Sequence, residues 1–564
     1  MNLPRAISSL CLVIAWSAHA ASDAADHLFV GRHIVTMEGT TAAGAENAQL
    51  AVAVRGADIV WVGRQADAGA WVDTETVVHE LGEHALLPGF IDAHGHLTFL
   101  AATISWANLA PPPVGPVTDM ASLQRVLRDH IRDNQIPDGA WVIGNGYDDS
   151  LLAERDHPDR RVLDAVSTRH PIVLLHVSGH LMAANSRALA EVGIDAESPD
   201  PAGGHIRRYP DRDEPSGVLE ETATYPLRAR LQQPGGNPLA DLTAALDRYA
   251  SFGITTVQDG AISEPSISLL QDAANAGLID LDVVIYPVVG NADLAAVAGM
   301  VFGIYRNRLK FGGVKMVLDG SPQGKTAYLS RPYHVPPPGQ SLDYRGYPIH
   351  PDDEVRAMVK AYLDVGLPII AHANGDAAAE QLIDAVAAAK VESDHRTVMI
   401  HAQTVREDQL DRMARLGIIP SYFSAHAFYW GDWHRNSVLG AERANRISPA
   451  RSTVDRGMRF TVHNDAPIVP PDMIRLLWAT TNRITRSDRV LGADQRIPTI
   501  EALRAMTSHA AYQYFEEDRK GTLTAGKLAD LVVLSEDPLL VPTAELERLE
   551  VLETWSHGRQ VYAR

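Results

Sequence analysis

The sequence predicts an α/β protein: a TIM (β/α)8 barrel beside a discontinuous β-sandwich domain built from both chain ends. Three observations point there. Through the middle of the chain, apolar β-branched runs alternate with Ala/Leu-rich stretches of helical spacing, the mark of a parallel sheet wrapped by helices. Eight such runs occur, the number that closes a barrel. The two ends carry short strands and Gly-rich turns instead, with too little apolar material for a core each. At 564 residues the chain is long enough for a barrel plus a satellite.

Residues 1–20 read as a cleavable Sec signal peptide: Arg5, an apolar stretch from Ile7 to Trp16, and the small-x-small end Ala18-His19-Ala20. The apolar run is shorter than the roughly 18 residues a bilayer span needs, so no stable membrane insertion is expected. A mature chain from about Ala21 implies a periplasmic or secreted protein. Its only cysteine, Cys11, would leave with the leader. The sandwich is expected from residues 21–86 plus 520–564. Its strand material is His27–Thr36, Leu50–Gly56 and Asp58–Gly63 at one end, Gly521–Leu534 and Val551–Tyr562 at the other. Chain termini often lie close together, and lone hairpins are marginal, so the two ends are predicted to pair.

The barrel is assigned to 87–519, with strands at Leu86–Ala93, Pro171–His176, Gly253–Asp259, Phe311–Asp319, Pro368–His372, Thr397–His401, Gly417–Tyr422 and Phe460–Asp465. Helical spacing is clearest at Pro238–Phe252, Glu354–Val365 and Glu407–Leu416. Residues from about 98 to 170 are too many for a plain connection and read as a lid-like insertion. An open doubly wound sheet lacks its nucleotide fingerprint. Gly144-Asn-Gly146 is a lone GxG, and Gly324-Lys325-Thr326 fails as a P-loop because Asp319 stands where the first glycine belongs.

Composition excludes several functions. With 70 Asp+Glu against 50 Lys+Arg, the formal charge is −20, which repels nucleic acid. A single Cys removes disulfide scaffolds, Cys-rich zinc modules and iron–sulfur clusters. A transition-metal site must then use imidazole and carboxylate, and the chain has 23 His.

Several predicted strands end in such a group, where a barrel assembles its chemistry. In Leu86–His96, the period of two puts His94 and His96 on one face, with Gly95 leaving room for an ion. An isolated HxH is more often a surface pair; the end of the first strand makes it a metal motif. On Phe311–Gly320, Lys315 points into the barrel. Either it pairs with Asp319, or CO2 adds to its amine and the resulting carbamate bridges two cations. His372, His401 and Asp465 end later strands, Asp465 competing with a helix N-cap role.

The stretches PGFIDAHGH, GHLMAANSRAL, KMVLDGSPQGKTA, AHANGD, HAQ, HNDAP and GTLTAGKLADLVVLSEDP resemble the metal-dependent amidohydrolases, specifically the YtcJ-like branch, amidohydrolase family 3. The resemblance covers essentially the whole mature chain. It implies a barrel beside a composite sandwich, and metal held at His94, His96, Lys315, His372, His401 and Asp465. His463 and Asn464 depart from the pattern, where relatives more often carry a small residue and Ser. Val177-Ser178 also departs, where an acidic residue is commoner.

The expected chemistry is hydrolysis of an amide, formamide or N-acyl amino acid by metal-activated water. It needs one or two divalent ions, zinc first among them, with Lys315 carboxylated in the two-ion form. Asp465 serves as general base and then acid, and His180 as oxyanion donor or as a structural imidazole. Tyr147, Tyr422, His426 and Trp430, with His180, are the substrate-lining candidates. The partner is a small-molecule amide; self-association into a homo-oligomer is left open. Two other readings stand beside this one: the same site cleaving an ester, lactone, carbamate or phosphoester, and a non-catalytic periplasmic binding protein on the same scaffold.

Overall fold

In the computed structural model, which describes residues 24–38, 49–231, 237–289, 300–337, 339–392 and 394–564, the architecture is mixed α/β. The leader expected at 1–20 lies outside the described residues. Two parallel ladders carry the central strands. One orders Phe90–Ile91, Ile254–Ile262, Asp282–Pro287 and Leu309–Phe311; the other orders Val314–Val317, Ile369–Ala373, Val398–His401, Ile419–Tyr422 and Thr461–Val462. Within each, sequence neighbours are spatial neighbours, and nearly every residue is buried, as strands covered on both faces require.

Gly312-Gly313 divides one run between the two ladders. A Cβ on Gly312 would stand 2.5 Å from Val284, and one on Gly313, at φ +135°, 2.3 Å from the Pro368 carbonyl oxygen. Only glycine lets the backbone pass so close to both neighbours. The joint is still bonded: Gly312 N–H donates to Ile285 O at 3.0 Å and Val289 N–H to Lys315 O at 2.9 Å. At the other joint, His96 N–H donates to Ala466 O at 2.9 Å and Asp465 N–H to His94 O at 3.2 Å. The end of the last strand is thereby tied to the His94-Gly95-His96 turn.

Helices cover these ladders through apolar stripes. Asp352–Asp364 buries Val355, Val359 and Leu363 at spacing four, and its first turn, Asp352-Asp353-Glu354, complements the helix dipole. Pro238–Ser251 starts with Asn237, whose side chain accepts from Ala240 N–H, and buries Leu242, Ala245, Leu246 and Tyr249. Glu407–Leu416 buries Leu410 and Met413 and stops at Gly417, which takes the left-handed conformation.

One predicted strand belongs elsewhere. Ile172–His176 lies in a six-stranded mixed sheet ordered 204–208, 215–221, 181–184, 172–176, 142–147 and 107–108. Its place among the central strands goes to Asp282–Pro287, absent from the sequence prediction. The reason is local: Gly179, at φ +74°, turns the chain straight back into Leu181–Ala184, antiparallel to 172–176, with no crossover helix. Apolar periodicity identifies a buried strand without saying which ladder it joins. The insertion's sheet accordingly continues to Glu221, well past the expected end near 170.

The chain ends form two further sheets. His27–Gly31 pairs antiparallel with Leu50–Arg55 and parallel with Val77–Glu80, and Asp58–Arg64 adds an edge. In the second, Ala85–Pro88 pairs antiparallel with Leu531–Leu534, which continues into Val551–Ser556 and Arg559–Ala563. Phe29, Val52, Val54, Ile59, Leu86, Leu531, Val533 and Trp555 form one apolar cluster drawn from both termini. Trp555 stands edge-on to Phe29 with ring centroids 5.1 Å apart. Replacing Trp555 by Ala is expected to cost about 3–5 kcal/mol of unfolding free energy by urea titration. A loss under about 1 kcal/mol would mean that the two ends do not depend on a shared core.

Candidate metal centre

His94 and His96 sit just past Phe90–Ile91, His372 and His401 within the last residues of their strands, and Asp465 three residues beyond Thr461–Val462. Parallel strands end on the same side, so these groups converge. Ligand atoms of His94, His401 and Asp465 all lie within 4.8 Å of one another. Asp465 Oδ1 is 3.3 Å from His94 Nε2 and 3.1 Å from His96 Nε2. His401 Nε2 is 4.0 Å from Asp465 Oδ2 and 3.1 Å from His372 Nδ1. Both His401 and Asp465 hold positive φ, +70° and +56°, a conformation seldom seen at residues other than glycine and one that collects at working sites.

Neighbouring groups set the orientation of each imidazole. His94 Nδ1 lies 2.5 Å from Gln258 Oε1 and His96 Nδ1 2.6 Å from Gly260 O. Both acceptors can only receive, so each histidine donates through Nδ1 and turns a bare Nε2 towards Asp465. Gln258 is fixed in turn: its Nε2 donates to Ala93 O at 2.9 Å and to Tyr514 Oη at 2.8 Å. His401 Nδ1 faces His463 Nε2 at 3.1 Å, and His463 Nδ1 reaches Ser421 Oγ at 2.9 Å.

Burial keeps this cluster in the ligand form. Desolvation, with the nearby Lys315, holds the His94 imidazolium well below its usual range; desolvation and His372 do the same at His401. His463 falls to about 3, chiefly by burial, with Lys315 and His96 adding to the effect against Asp465. At Asp465, burial opposes the charge, but the adjacent His96, His401 and His94 outweigh it and hold the carboxyl well below the ordinary range. Neutral imidazoles and an ionised carboxylate are the states that bind a cation.

Lys315 is 2 % exposed, and burial lowers its amine to about 7. Its Nζ is 2.9 Å from His94 Nε2. The competing ion pair with Asp319 does not form, because Asp319 accepts from the backbone N–H of Tyr328, Asn374 and Gly375 at 2.8–2.9 Å. That carboxylate is committed to holding the loops after two strands.

The donor set fits a divalent cation of borderline softness. Bare imidazole nitrogens and a carboxylate converge without a thiolate. Asp465 Oδ1, fully buried, makes no hydrogen bond of ordinary geometry despite having two imidazoles in reach. An orphaned buried carboxylate oxygen is costly unless a cation completes it. Of the two other Asp/His triads among the described residues, the one of Asp282, Asp530 and His557 already has its Asp282 paired with the Lys520 ammonium at 2.6 Å and with His557 Nε2 at 3.1 Å. The other is Asp149, His157 and His176 in the inserted sheet.

His180 joins the centre from the insertion, its ring centroid 4.9 Å from that of His372. Glu221 Oε2 accepts from His180 Nδ1 at 2.8 Å, and despite burial the two acids Glu221 and Asp319 raise the imidazole's pKa. The other substrate candidates are already engaged. Tyr147 Oη lies 3.2 Å from His157 Nδ1, Tyr422 Oη 2.6 Å from Thr453 Oγ1, and His426 Nδ1 2.9 Å from His434 Nε2; Trp430 Nε1 donates to Asp148 Oδ2 at 2.7 Å. Tyr422 is wholly buried beside Phe460 and offers no free polar atom. His426 and Trp430 keep an indirect link through Phe423, whose ring lies 4.5 and 6.0 Å from theirs and 6.3 Å from His401. The side chains of His96, His180 and Asp465 are 21, 17 and 11 % exposed, so solvent reaches the cluster from their side. A surface hollow of about 390 Å³ lined by Tyr328, Asp352, Arg356 and Glu380 contains none of the ligands.

Residues 78–562 match the amidohydrolase family model. The chain belongs to amidohydrolase family 3, in its YtcJ-like branch. It is 28 % identical over 526 residues to an N-substituted formamide deformylase of Arthrobacter pascens, covering 91 % of this chain and 95 % of that one. It is 26 % identical over 504 residues to the YtcJ protein of Bacillus subtilis, covering 87 % and 91 %. Among solved structures, an uncharacterized metal-dependent hydrolase from Pyrococcus horikoshii superposes with a TM-score of 0.70 at 21 % identity, over 92 % of this chain and 99 % of that one. This amidohydrolase carries a buried group of residues that could hold a metal ion.

Gln258, Gly260 and Glu221 escaped the sequence reading, which noted His463 only as a departure from the family pattern. Gln258 lies on a predicted strand, where the alternation that buries Ile254 and Thr256 also turns it inward; that was the signal. Glu221 had none, since its role depends on φ +47° at the end of an inserted strand. Gln258→Ala is expected to weaken metal affinity roughly 10–100-fold, measured by chelator competition on the intact protein. Unaltered affinity would show that Gln258 does not orient His94.

Proposed function

We propose that this amidohydrolase is an exported enzyme that hydrolyses a C–N bond, of the amide, formamide or N-acyl amino acid type, in a small molecule. The observation that carries the reading is the convergence of His94, His96, His401 and Asp465 around an unpartnered carboxylate oxygen. The formamide deformylase relative supports the choice of bond. We also read the two parallel ladders as one (β/α)8 barrel: their nine segments, with the run split at Gly312-Gly313 counted once, are eight strands in chain order, bonded at both joints. The sheets of the chain ends are read as one composite sandwich on the same grounds.

His94, His96, His372, His401 and Asp465 would hold one or two divalent ions, zinc being our first choice. A bound cation of this kind supplies Lewis acidity, polarising a carbonyl and making water acidic enough to attack at neutral pH. Lys315, uncharged in much of the population near neutrality, is the form of lysine that adds CO2, and the resulting carbamate would give the second ion an oxygen ligand. Asp465 takes the proton of the attacking water. It then returns that proton to the departing nitrogen, which cannot leave as an anion. His180, held by Glu221, donates to the oxyanion from the insertion side.

Dialysis against chelator should abolish hydrolysis of formamides and N-acyl amino acids, and readdition of zinc should restore it; activity that persists in chelator overturns the metal reading. Matched esters in the same panel separate amide from ester preference. His180→Gln should lower kcat by about 10²–10³ with metal retained, and an unchanged kcat would leave His180 a structural role. Intact mass on fresh protein should show one added CO2, lost in Lys315→Met. N-terminal sequencing of the exported protein should begin near Ala21, and retention of Met1 would remove the export assignment.

A further inference from the structure

Gly324-Lys325-Thr326, which failed as a phosphate loop, encloses a lysine that the chemistry above does not use. We propose that Lys325, held against the indole of Trp433, anchors an anionic group of the substrate, so that the preferred amides carry a carboxylate, as N-acyl amino acids do. This rests on the amide-hydrolase reading and narrows its substrate class.

Lys325 is 9 % exposed, and among the described residues its ammonium has no hydrogen-bond or ion-pair partner; its contact is the Trp433 ring, 4.8 Å from Nζ to the centroid. A buried cation without a counter-ion is costly, and an aromatic face recovers only part of that cost. The nearby acid favours the Lys325 charge from a distance without bonding it. Asp149, the nearby carboxylate, accepts from His176 Nε2 at 2.9 Å and faces His157 Nε2 at 3.6 Å. Arg207 is bonded to Glu220 at 2.5 Å. Those commitments, with two cationic side chains close by, also argue against a metal ion between Asp149, His157 and His176. Burial lowers the lysine to about 8, which leaves it largely charged at neutral pH.

The loop holds Lys325 in place and joins it to the metal centre. Ser321 N–H donates to Thr326 Oγ1 at 2.9 Å, Gly324 N–H to Ser321 Oγ at 3.2 Å, and Tyr344 Oη to Lys325 O at 2.9 Å. Lys325 itself sits at φ +58°, a conformation such a bulky residue keeps only when its surroundings impose it. Trp433 is pinned by its own Nε1–H to Gln323 O at 3.1 Å. At the start of the loop, Gly320 O lies 3.1 Å from His372 Nε2. A Cβ there would meet Glu221 Oε1, the acid that holds His180. The loop that carries Lys325 thus begins against the ligand His372 and the acid that holds His180.

Binding and turnover are measured separately on the full chain. Chelator-treated protein, which cannot turn over, is titrated calorimetrically with N-formyl and N-acetyl derivatives of glycine, leucine and phenylalanine, each against its C-terminal carboxamide. At least one acid should bind tenfold or more tightly than its carboxamide, with Lys325→Met erasing the difference and Lys325→Arg keeping part of it. Equal binding of acid and carboxamide, binding of neither, or a preference that survives in Lys325→Met each overturns the proposal. Circular dichroism confirms folding, and the Arg variant preserves the charge should the Met variant misfold. The zinc-loaded protein is assayed on the same compounds. Failure to hydrolyse any of them counts against the amide-hydrolase reading, while the acid-over-carboxamide ratio in binding still judges Lys325.

Discussion

The structure depends on one carboxylate buried among imidazoles. Asp465 lies where solvent barely reaches, with His94, His96 and His401 around it. A charge in that position is unfavourable by itself, and burial equally disfavours charging the imidazoles that would neutralise it. The arrangement becomes favourable when a cation stands between the nitrogen and oxygen donors. That requirement explains why the surrounding polar groups are aimed so specifically. Gln258 and the Gly260 carbonyl take the Nδ1 protons of His94 and His96, Ser421 and His463 stand behind His401, and Asp319 binds three backbone amides instead of capturing Lys315.

The framework serves this requirement by bringing strand ends together. Parallel ladders point their C-terminal ends to one side, so residues hundreds of positions apart meet without any local motif joining them. The joints have strict steric demands: Gly312 and Gly313 pass where no side chain fits, and the turn His94-Gly95-His96 is bonded directly to the segment that carries Asp465. The insertion completes the environment from above, supplying His180 and Glu221 at the metal side and Asp149 and Arg207 near Lys325. Specificity in such a protein resides in the insertion and in the loops after the strands, while the cation and its ligands supply a chemistry that many bonds share.

Much of the centre was legible in the sequence because its ligands occupy positions with a simple periodic signature. His94 and His96 alternate on one strand face, and His372, His401 and Asp465 each follow an apolar run. Lys315 stood out because a lysine at an inward position of a buried strand has no ordinary explanation. Periodicity could not separate the strand Ile172–His176 from the central ladders, since a buried strand reads alike in any sheet, and Asp282–Pro287 was passed over for it. The aromatic residues proposed around the substrate illustrate the same limit. Tyr422 follows a strand as the ligands do, yet its hydroxyl turns to Thr453 in the interior.

The sequence alone determined the chemistry available and the order of the strands that present it. With one cysteine and 23 histidines, a metal site had to be imidazole and carboxylate, and hydrophobic periodicity placed the carriers on strands. Tertiary structure decided which polar atoms have partners and which are left without one. Asp319 could have neutralised Lys315 by spacing, but three backbone amides, one from its own loop and two from the loop after the next strand, claim it. Lys325 could have been an exposed loop lysine, but folding brings it against Trp433 with no acid bonded to it. Partnership is set by distances between segments remote in the chain, and no local pattern of residues encodes those distances.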